Sequence, residues 1–500
     1  MQKHFLSIHH VSFSYINSAV PIIDRFSGQF EPGWTGIVGA NGSGKTTLLK
    51  LCTGLLNPVS GKISLPGPSV YCEQRTDEIP EGLPQFIRNF DPYSMEIKSL
   101  LCIEEDWAER WHTLSHGERK RAQVGLALFR QPEILALDEP TNHLDKEARQ
   151  VLFHGLKKYR GIGLLVSHDR LLLDRLCHHI LWMEPPRLIL RQGNYSSADR
   201  DIKNEKKHQQ HQYQTARRQI KKLRSEVKRR KQKAAEADKK RSKKQISKKD
   251  HDAKSKIDLA RLSGKDGVEG RAQKRLETQM NRLVEKKQSI HLQKTSPAGI
   301  RIEGTQATGS YIFHIPADTV LVGQYPLVFP DLFIQTGQRI GLAGPNGSGK
   351  STLVRYLVSH IPLASDRLIY IPQEINIKET RKIIEHVHAL DSVSKGQMMS
   401  LVSRLGSDPV RILETELPSP GEVRKLILAA GIQKNPHLII MDEPTNHMDL
   451  PSIQHVETAL VECGVTLLLV SHDGMFLDRT VQQIWRIDKA SESEYRLVLV

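Results

Sequence analysis

The sequence predicts an α/β fold: two phosphate-loop domains in tandem, joined by a basic α-helical hairpin of coiled-coil type. Three observations lead there. A glycine-rich loop motif occurs twice, an internal repeat carries both copies at a near-constant offset, and the positive charge is confined to the segment between them.

The first loop, Gly39-Ala40-Asn41-Gly42-Ser43-Gly44-Lys45-Thr46, follows an apolar run, and so does the second, Gly344-Pro345-Asn346-Gly347-Ser348-Gly349-Lys350-Ser351. Both fit GxxxxGK[ST], the strand–loop–helix cradle for phosphate. Glycines let backbone N–H groups converge on phosphate oxygens, and the helix N-terminus adds the positive end of its dipole. Lys45 and Lys350 are expected to reach the β/γ-phosphates, and Thr46 and Ser351 to ligate Mg²⁺; Thr47 and Thr352 extend the cradle into the helix. Downstream, apolar runs end in Asp138-Glu139-Pro140 and Asp442-Glu443-Pro444. An aspartate at a strand end can hold Mg²⁺, and the adjacent glutamate can orient or deprotonate an attacking water. Twenty-nine residues after each glutamate lies a histidine, in Ser167-His168-Asp169 and Ser471-His472-Asp473. A hydrolase triad does not fit, because three consecutive residues at a strand end cannot converge. The offset between halves is 305 at the first loop glycine and 304 at both the glutamate and the histidine, the mark of an internal duplication.

Between Asp199 and Ala298 stand 32 Lys/Arg against 13 Asp/Glu, a local net of +19, whereas the other 400 residues carry 40 basic and 43 acidic side chains. The whole-chain excess of +16 therefore belongs to one fifth of the protein. Lys, Arg, Gln, Ala and Glu dominate that fifth and favour helix. Tyr213, Ala216, Ile220, Leu223 and Val227 follow a 3-4 spacing, as on one face of a coiled coil. After the breaker-rich stretch Ser263–Gly270, a second apolar set follows at Leu276, Met280, Leu283 and Ile290. The expectation is an antiparallel hairpin of helices about 40 residues and about 60 Å long, its tip densest in Lys between Lys239 and Lys249. The domain boundaries read 1–198, 199–298 and 299–500.

Composition excludes other classes. Charged residues make up 26% and hydrophobic ones 38%, which argues against wholesale disorder, and no apolar run approaches the roughly 18 residues a bilayer span needs. Five dispersed cysteines form no CxxC pair, against a zinc cluster or disulfide framework. Cys52 and Cys72 read as buried apolar residues, and His178 and His179 as ordinary ones. The N-terminus lacks a signal-peptide pattern, and the expected location is the cytoplasm.

On these motifs the sequence resembles ATP-binding cassette ATPases, over about 400 residues. Leu114-Ser115-His116-Gly117-Glu118 is similar to the family's signature loop, with Pro418-Ser419-Pro420-Gly421-Glu422 as its counterpart. Gln74 and Gln373 resemble the glutamines that sense Mg²⁺ and water; Asn142-His143-Leu144-Asp145 and Asn446-His447-Met448-Asp449 resemble the D-loops. In this family two cassettes pair head to tail. The resemblance implies one ATP site from Lys45, Glu139 and His168 with Ser419, and another from Lys350, Glu443 and His472 with Ser115. Gly117, Glu118, Gly421 and Glu422 would complete the signatures, and Tyr15 would stack on adenine. The second signature departs from the LSGGE pattern at Pro418 and Pro420, so two sites of unequal turnover are expected.

The DEPTNH(L/M)D segment in both halves and the basic hairpin between cassettes resemble the ABC-F family, and Gly193-Asn194-Tyr195 is similar to that family's entry into its linker. The resemblance implies a cytosolic ATPase, monomeric with intramolecular cassette pairing. It would bind ribosomal RNA and P-site tRNA on the ribosome through the linker, as a translation factor or an antibiotic-resistance protein. Only 41 residues separate Gln74 from Ser115 and 28 follow His472, as in compact members. The alternative of an ATPase subunit of a membrane transporter gives the hairpin no task. A chromosome-organising ATPase would have the coil interrupt a single cassette.

Overall fold

The structure, a computed structural model, describes residues 5–15, 21–142, 144–185, 187–240, 265–289, 311–364, 366–415, 417–491 and 494–499. Two compact units emerge: Met1–Ala198 with Ser296–Val500, and Asp199–Thr295.

Within the first unit each half is built on a largely parallel sheet. In the N-terminal half the strand order is Ser69–Cys72, Ile134–Asp138, Ile162–Val166, Gly33–Gly39, Cys177–Glu184 and the antiparallel Arg187–Gln192. The C-terminal half repeats it with Leu368–Ile371, Leu438–Asp442, Thr466–Val470, Arg339–Ala343, Gln483–Ser491 and Glu494–Leu499, and continues into Tyr325–Phe329 and Asp318–Val322. The central strands read Ile-Leu-Ala-Leu and Leu-Ile-Ile-Met because helices cover both faces, so every residue along them is buried. In open sheets of this kind ligands bind beyond the carboxyl ends of the strands. Asp138 and Asp442 occupy those ends.

The apolar contents are ordinary and tight. Ile37, Leu48, Leu49, Ile134 and Leu164 pack one core; Leu342, Leu353, Leu438, Ile440 and Trp485 pack the equivalent one. Cys52 and Cys72 are buried, in line with their reading as small apolar residues. Among the described residues no cluster of three metal-binding side chains exists, and none includes His178 or His179.

The second unit is a pair of helices. The first belongs to Tyr195–Lys240, 46 residues, and the second is Lys265–Ser289, 25 residues. At 1.5 Å per residue the longer one extends about 70 Å. Lys231 Nζ lies 3.5 Å from Glu277 Oε1, and Lys287 Nζ lies 5.1 Å from the Tyr213 ring centre, so the helices run antiparallel. Ala216, Ile220 and Val227 are buried along the seam, with Leu276, Met280 and Leu283 half-buried. Ile290 and the Lys-rich tip beyond Lys240 lie outside the described residues. One expectation is corrected. The stretch ending at Gly270 does not break the chain, because helix begins at Lys265. Each glycine costs about 1 kcal/mol in a helix interior, which a 25-residue helix packed along a seam absorbs.

Candidate functional site: two pockets at the cassette junction

Both phosphate loops end in a glycine that no other residue could replace. Gly44 and Gly349 sit at φ 91° as N-caps of the helices starting at Lys45 and Lys350. A Cβ there would come within 2.1 Å of Ile22 and 2.3 Å of Val322, so both backbone angle and space demand glycine. Lys45 Nζ donates to the carbonyls of Gly39 and Ala40 at 3.0 and 3.1 Å, and Lys350 Nζ to those of Gly344 and Pro345 at 2.8 and 2.7 Å. Burial lowers both lysine pKa values against the pull of nearby carboxylates. For Lys45 these are Glu139, Asp449 and Asp138, and for Lys350 they are Glu443, Asp442 and Asp145. In each case one carboxylate comes from the other half of the chain.

The strand-end carboxylates face the loops. Thr46 Oγ1 donates to Asp138 Oδ2 at 2.6 Å, and Tyr71 Oη to the same oxygen at 3.1 Å. In the second half a Ser351 hydrogen bond offsets part of the burial that raises the Asp442 pKa, while Asp442 Oδ1 is buried without a hydrogen-bond partner. A hydroxyl beside a carboxylate is a hard oxygen pair of the kind Mg²⁺ selects, and the unpartnered buried oxygen fits a cation there.

Glu139 and Glu443 adopt left-handed backbone at φ 48° and 49°, a conformation that costs a non-glycine residue of order 1–3 kcal/mol. Glu139 N donates to Val166 O at 2.9 Å and Glu443 N to Val470 O at 2.8 Å, which holds the strained residue to the neighbouring strand. His168 Nε2 lies 3.1 Å from Glu139 Oε1, and His472 Nε2 lies 3.5 Å from Glu443 Oε1. Burial drives these pairs toward their neutral forms: the Glu139 carboxyl is pushed up to about 8, Glu443 also rises, and His472 falls to about 3. Ser167 and Asp169 do not join in. Asp169 caps the helix Arg170–Leu176, and Ser167 Oγ accepts from the Asp169 N–H. That geometry agrees with rejecting a hydrolase triad.

The signature serines are helix N-caps. Ser115 and Ser419 each form a capping box, with Glu118 and Glu422 reaching back to the serine N–H at 2.7 and 2.8 Å. Gly117 and Gly421 lie in the first turn of those helices. Pro420 is the first helical residue, a position where its missing N–H costs the helix nothing. It does remove one donor from the helix end.

The structure gathers the first set of residues from both halves. A cavity of about 480 Å³ is lined by Tyr15, Ile22, Asn41, Gly42, Gly44, Lys45, Thr46, Thr47, Gln74, Asp138, Glu139 and His168, together with Ser419, Pro420 and His447 of the C-terminal half. Asn41 N donates to Asp449 Oδ2 at 2.6 Å, tying the first phosphate loop to the second D-loop. The second cavity, about 330 Å³, is lined by Asn346, Gly347, Gly349, Lys350, Ser351, Thr352, Gln373, Asp442, Glu443 and His472, with Leu144 and Arg149 from the N-terminal half. Ser115, Gly117 and Glu118 are not among the described residues lining it, and neither is any Phe, Tyr or Trp. Gly39, Gly344, Gly421 and Glu422 stand beside the cavities without lining them. His143 lies outside the described residues.

Several residues here escape a motif reading. Lys120 Nζ donates to the Glu73 and Gln74 carbonyls at 2.8 and 3.1 Å, and Arg424 donates to the Gln373 carbonyl. They stand 304 apart on the signature helices, so each helix grips the glutamine loop of its own half. A repeated base on the buried face of both helices was their only sequence signal. Val322 stands over Gly349 as Ile22 stands over Gly44.

Fold and paired cavities together define a tandem ATP-binding cassette ATPase. The ABC transporter family model matches residues 23–142 and 330–446. The chain is 31% identical over 464 residues to the ribosome protection protein VmlR of Bacillus subtilis (strain 168), covering 89% of this chain and 80% of that one. It is 27% identical to the energy-dependent translational throttle protein EttA of Escherichia coli (strain K12), covering 93% and 88%. A solved archaeal ribosome recycling factor, aABCE1, in complex with the stalk protein aP1, shares the fold at TM-score 0.62 and 18% identity over 98% of this chain and 89% of that one. This chain belongs to the ABC-F family; it is an ATPase, and its cassette domains bind ATP. Among the described residues no helix is long and apolar enough to cross a membrane.

Proposed function

We propose that the protein binds the ribosome when ATP draws its two cassettes together, and that its basic linker then contacts ribosomal RNA and P-site tRNA near the peptidyl-transferase centre. Hydrolysis releases it. The observation that carries this reading is the concentration of a +19 charge in residues 199–298. RNA offers phosphates and 2′-hydroxyls that Lys and Arg contact without reading sequence, and a linker whose only Phe, Tyr or Trp within residues 199–298 is Tyr213 suits shape recognition rather than base stacking. The relatives named for ribosome protection and translational throttling support the same partner.

At each pocket Lys45 or Lys350 and the loop N–H groups hold the terminal phosphates. Tyr15 stacks on adenine in the first pocket. Thr46, Asp138 and Gln74, and Ser351, Asp442 and Gln373, are the residues that would hold Mg²⁺, which when bound neutralises phosphate charge. Glu139 and Glu443 accept the proton of the attacking water, while His168 and His472 orient the glutamates and the terminal phosphate. Ser419, which lines the first pocket, closes it from the opposite cassette, whereas Ser115 does not line the second. Loss of the terminal phosphate removes the group that bridges the two halves.

The test is a Glu139→Gln, Glu443→Gln double variant incubated with ribosomes and ATP. Co-sedimentation at least tenfold above the wild type is expected, and vanishing with ADP. Equal recovery of both proteins would overturn the reading.

A further inference from the structure

The cassette repeat is not symmetric at one position that matters. Arg149, in the first turn of the helix Lys146–Lys158 behind the first D-loop, has Ile453 as its counterpart 304 residues on. Ile453 is a core residue, 2% exposed. Arg149 instead reaches the other half: its Nη1 donates to the His472 carbonyl at 3.3 Å, and the same nitrogen lies 3.5 Å from Asp169 Oδ2 of its own half. Its Nε is buried without a hydrogen-bond partner. The guanidinium lines the second cavity together with Lys350, Ser351 and Glu443. A rigid fork of five donors, with only Nη1 engaged by protein groups and Nε buried unpaired, is a group waiting for an acceptor.

We propose that Arg149 is a trans-acting arginine of the second ATP site, donating to the terminal phosphate across the cassette junction while it fixes the His472 backbone. The inference rests on the reading of that pocket as an ATP site. In the reaction a water oxygen bonds to the γ-phosphorus and the bond to the β–γ bridging oxygen breaks. The water proton passes to Glu443, and ADP and phosphate leave. Arg149 exchanges no proton. Its fixed charge meets the negative charge on the γ-oxygens, a role in which arginines supplied in trans accelerate phosphoryl transfer strongly. The same charge also opposes the upward shift of Glu443, favouring the ionised base that hydrolysis needs. Because Ile453 cannot do this for the first pocket, the arginine makes the two sites chemically different.

The experiment introduces Arg149→Ala and Arg149→Lys into the Glu139→Gln protein, where the second site reports turnover, and into the Glu443→Gln protein, where the first does. Steady-state kcat and KM are measured, and ATP and ADP affinities are read by displacement of a fluorescent ADP analogue. Expected is a fall in kcat of at least tenfold for Arg149→Ala in the Glu139→Gln background, partial recovery with Lys or with added guanidinium, and weaker ATP binding with ADP affinity kept within twofold. Equal losses in both backgrounds, or equal weakening of ATP and ADP, would reduce Arg149 to a structural strut and overturn the proposal. An unchanged kcat would overturn it too. Failure of the parent Glu139→Gln protein to bind any nucleotide would instead sink the site reading beneath it.

Discussion

The two pockets share a ground plan and differ in what crosses to them from the other half. The first receives Ser419 and Pro420, beside Tyr15 of its own half; the second receives Leu144 and Arg149, and has no Phe, Tyr or Trp. Even the arginines that approach are unrelated by the repeat. Arg411 Nη1 lies 3.7 Å from where a Cβ on Gly42 would sit, beside the first phosphate loop. Duplication has preserved the groups a cassette supplies to itself: Lys45 and Lys350, Asp138 and Asp442, Glu139 and Glu443. Of the groups supplied in trans, the aspartates Asp449 and Asp145 are kept, whereas Arg149 is matched by Ile453. The first pocket alone carries a tyrosine, Tyr15 from its own half, and the second alone an arginine, Arg149 from the opposite half.

The largest effect that tests this division comes from the glutamates. Removing a general base costs about 10²–10⁴-fold in rate, so Glu139→Gln and Glu443→Gln should each silence one pocket. The remaining turnover should be the faster in Glu139→Gln, and equal residual rates would erase the comparison. Next comes Tyr15→Ala. Stacking of a base on an aromatic ring is worth about 1–3 kcal/mol, so nucleotide affinity of the first pocket should fall by about 5–150-fold in an equilibrium titration, with the second pocket unmoved. Smaller still is Pro420→Gly. Restoring one N–H to the end of the helix Pro420–Ile432 should raise turnover of the Glu443→Gln protein by about tenfold or less, as expected for one charge-assisted hydrogen bond.

The smallest effect is thermal. Burial holds the folded Glu139 carboxyl at about 8, above its unfolded value. The folded state therefore binds the extra proton, and stability declines as pH rises from the unfolded pKa near 4.5 through about 8. Glu139→Gln removes that penalty. Its melting temperature without nucleotide should exceed the wild type by a few degrees at pH 8.5, at roughly 2–4 °C per kcal/mol, and match it near pH 4.5.

How far a sequence carries such an account depends on the kind of contact. Loop glycines, strand-end carboxylates and the Ser-His-Asp segments were legible because each motif lies within a few residues of chain, and the repeat supplied its own check. The coiled seam of the linker was legible from the 3-4 spacing of Tyr213 to Val227. Glycines 267 and 270 misled, since a local propensity of about 1 kcal/mol each yields to packing along a long helix. What stayed hidden lies at long range: the strain at Glu139 and Glu443, the grip of Lys120 and Arg424 on the glutamine loops, and the crossing of Arg149. None of these has a spacing rule. Lys120, Arg424 and Arg149 leave a trace only as basic residues where an amphipathic helix should be apolar, a trace the 304 offset repeats for the first two and not for Arg149.

The central claim is that the charge confined to residues 199–298 docks on RNA. It is tested most directly by the salt dependence of ribosome binding by the Glu139→Gln, Glu443→Gln protein with ATP. If the linker makes about 6–10 phosphate contacts, affinity should fall by about 10³–10⁵ between 50 and 200 mM salt. A flat response over that range would contradict the account.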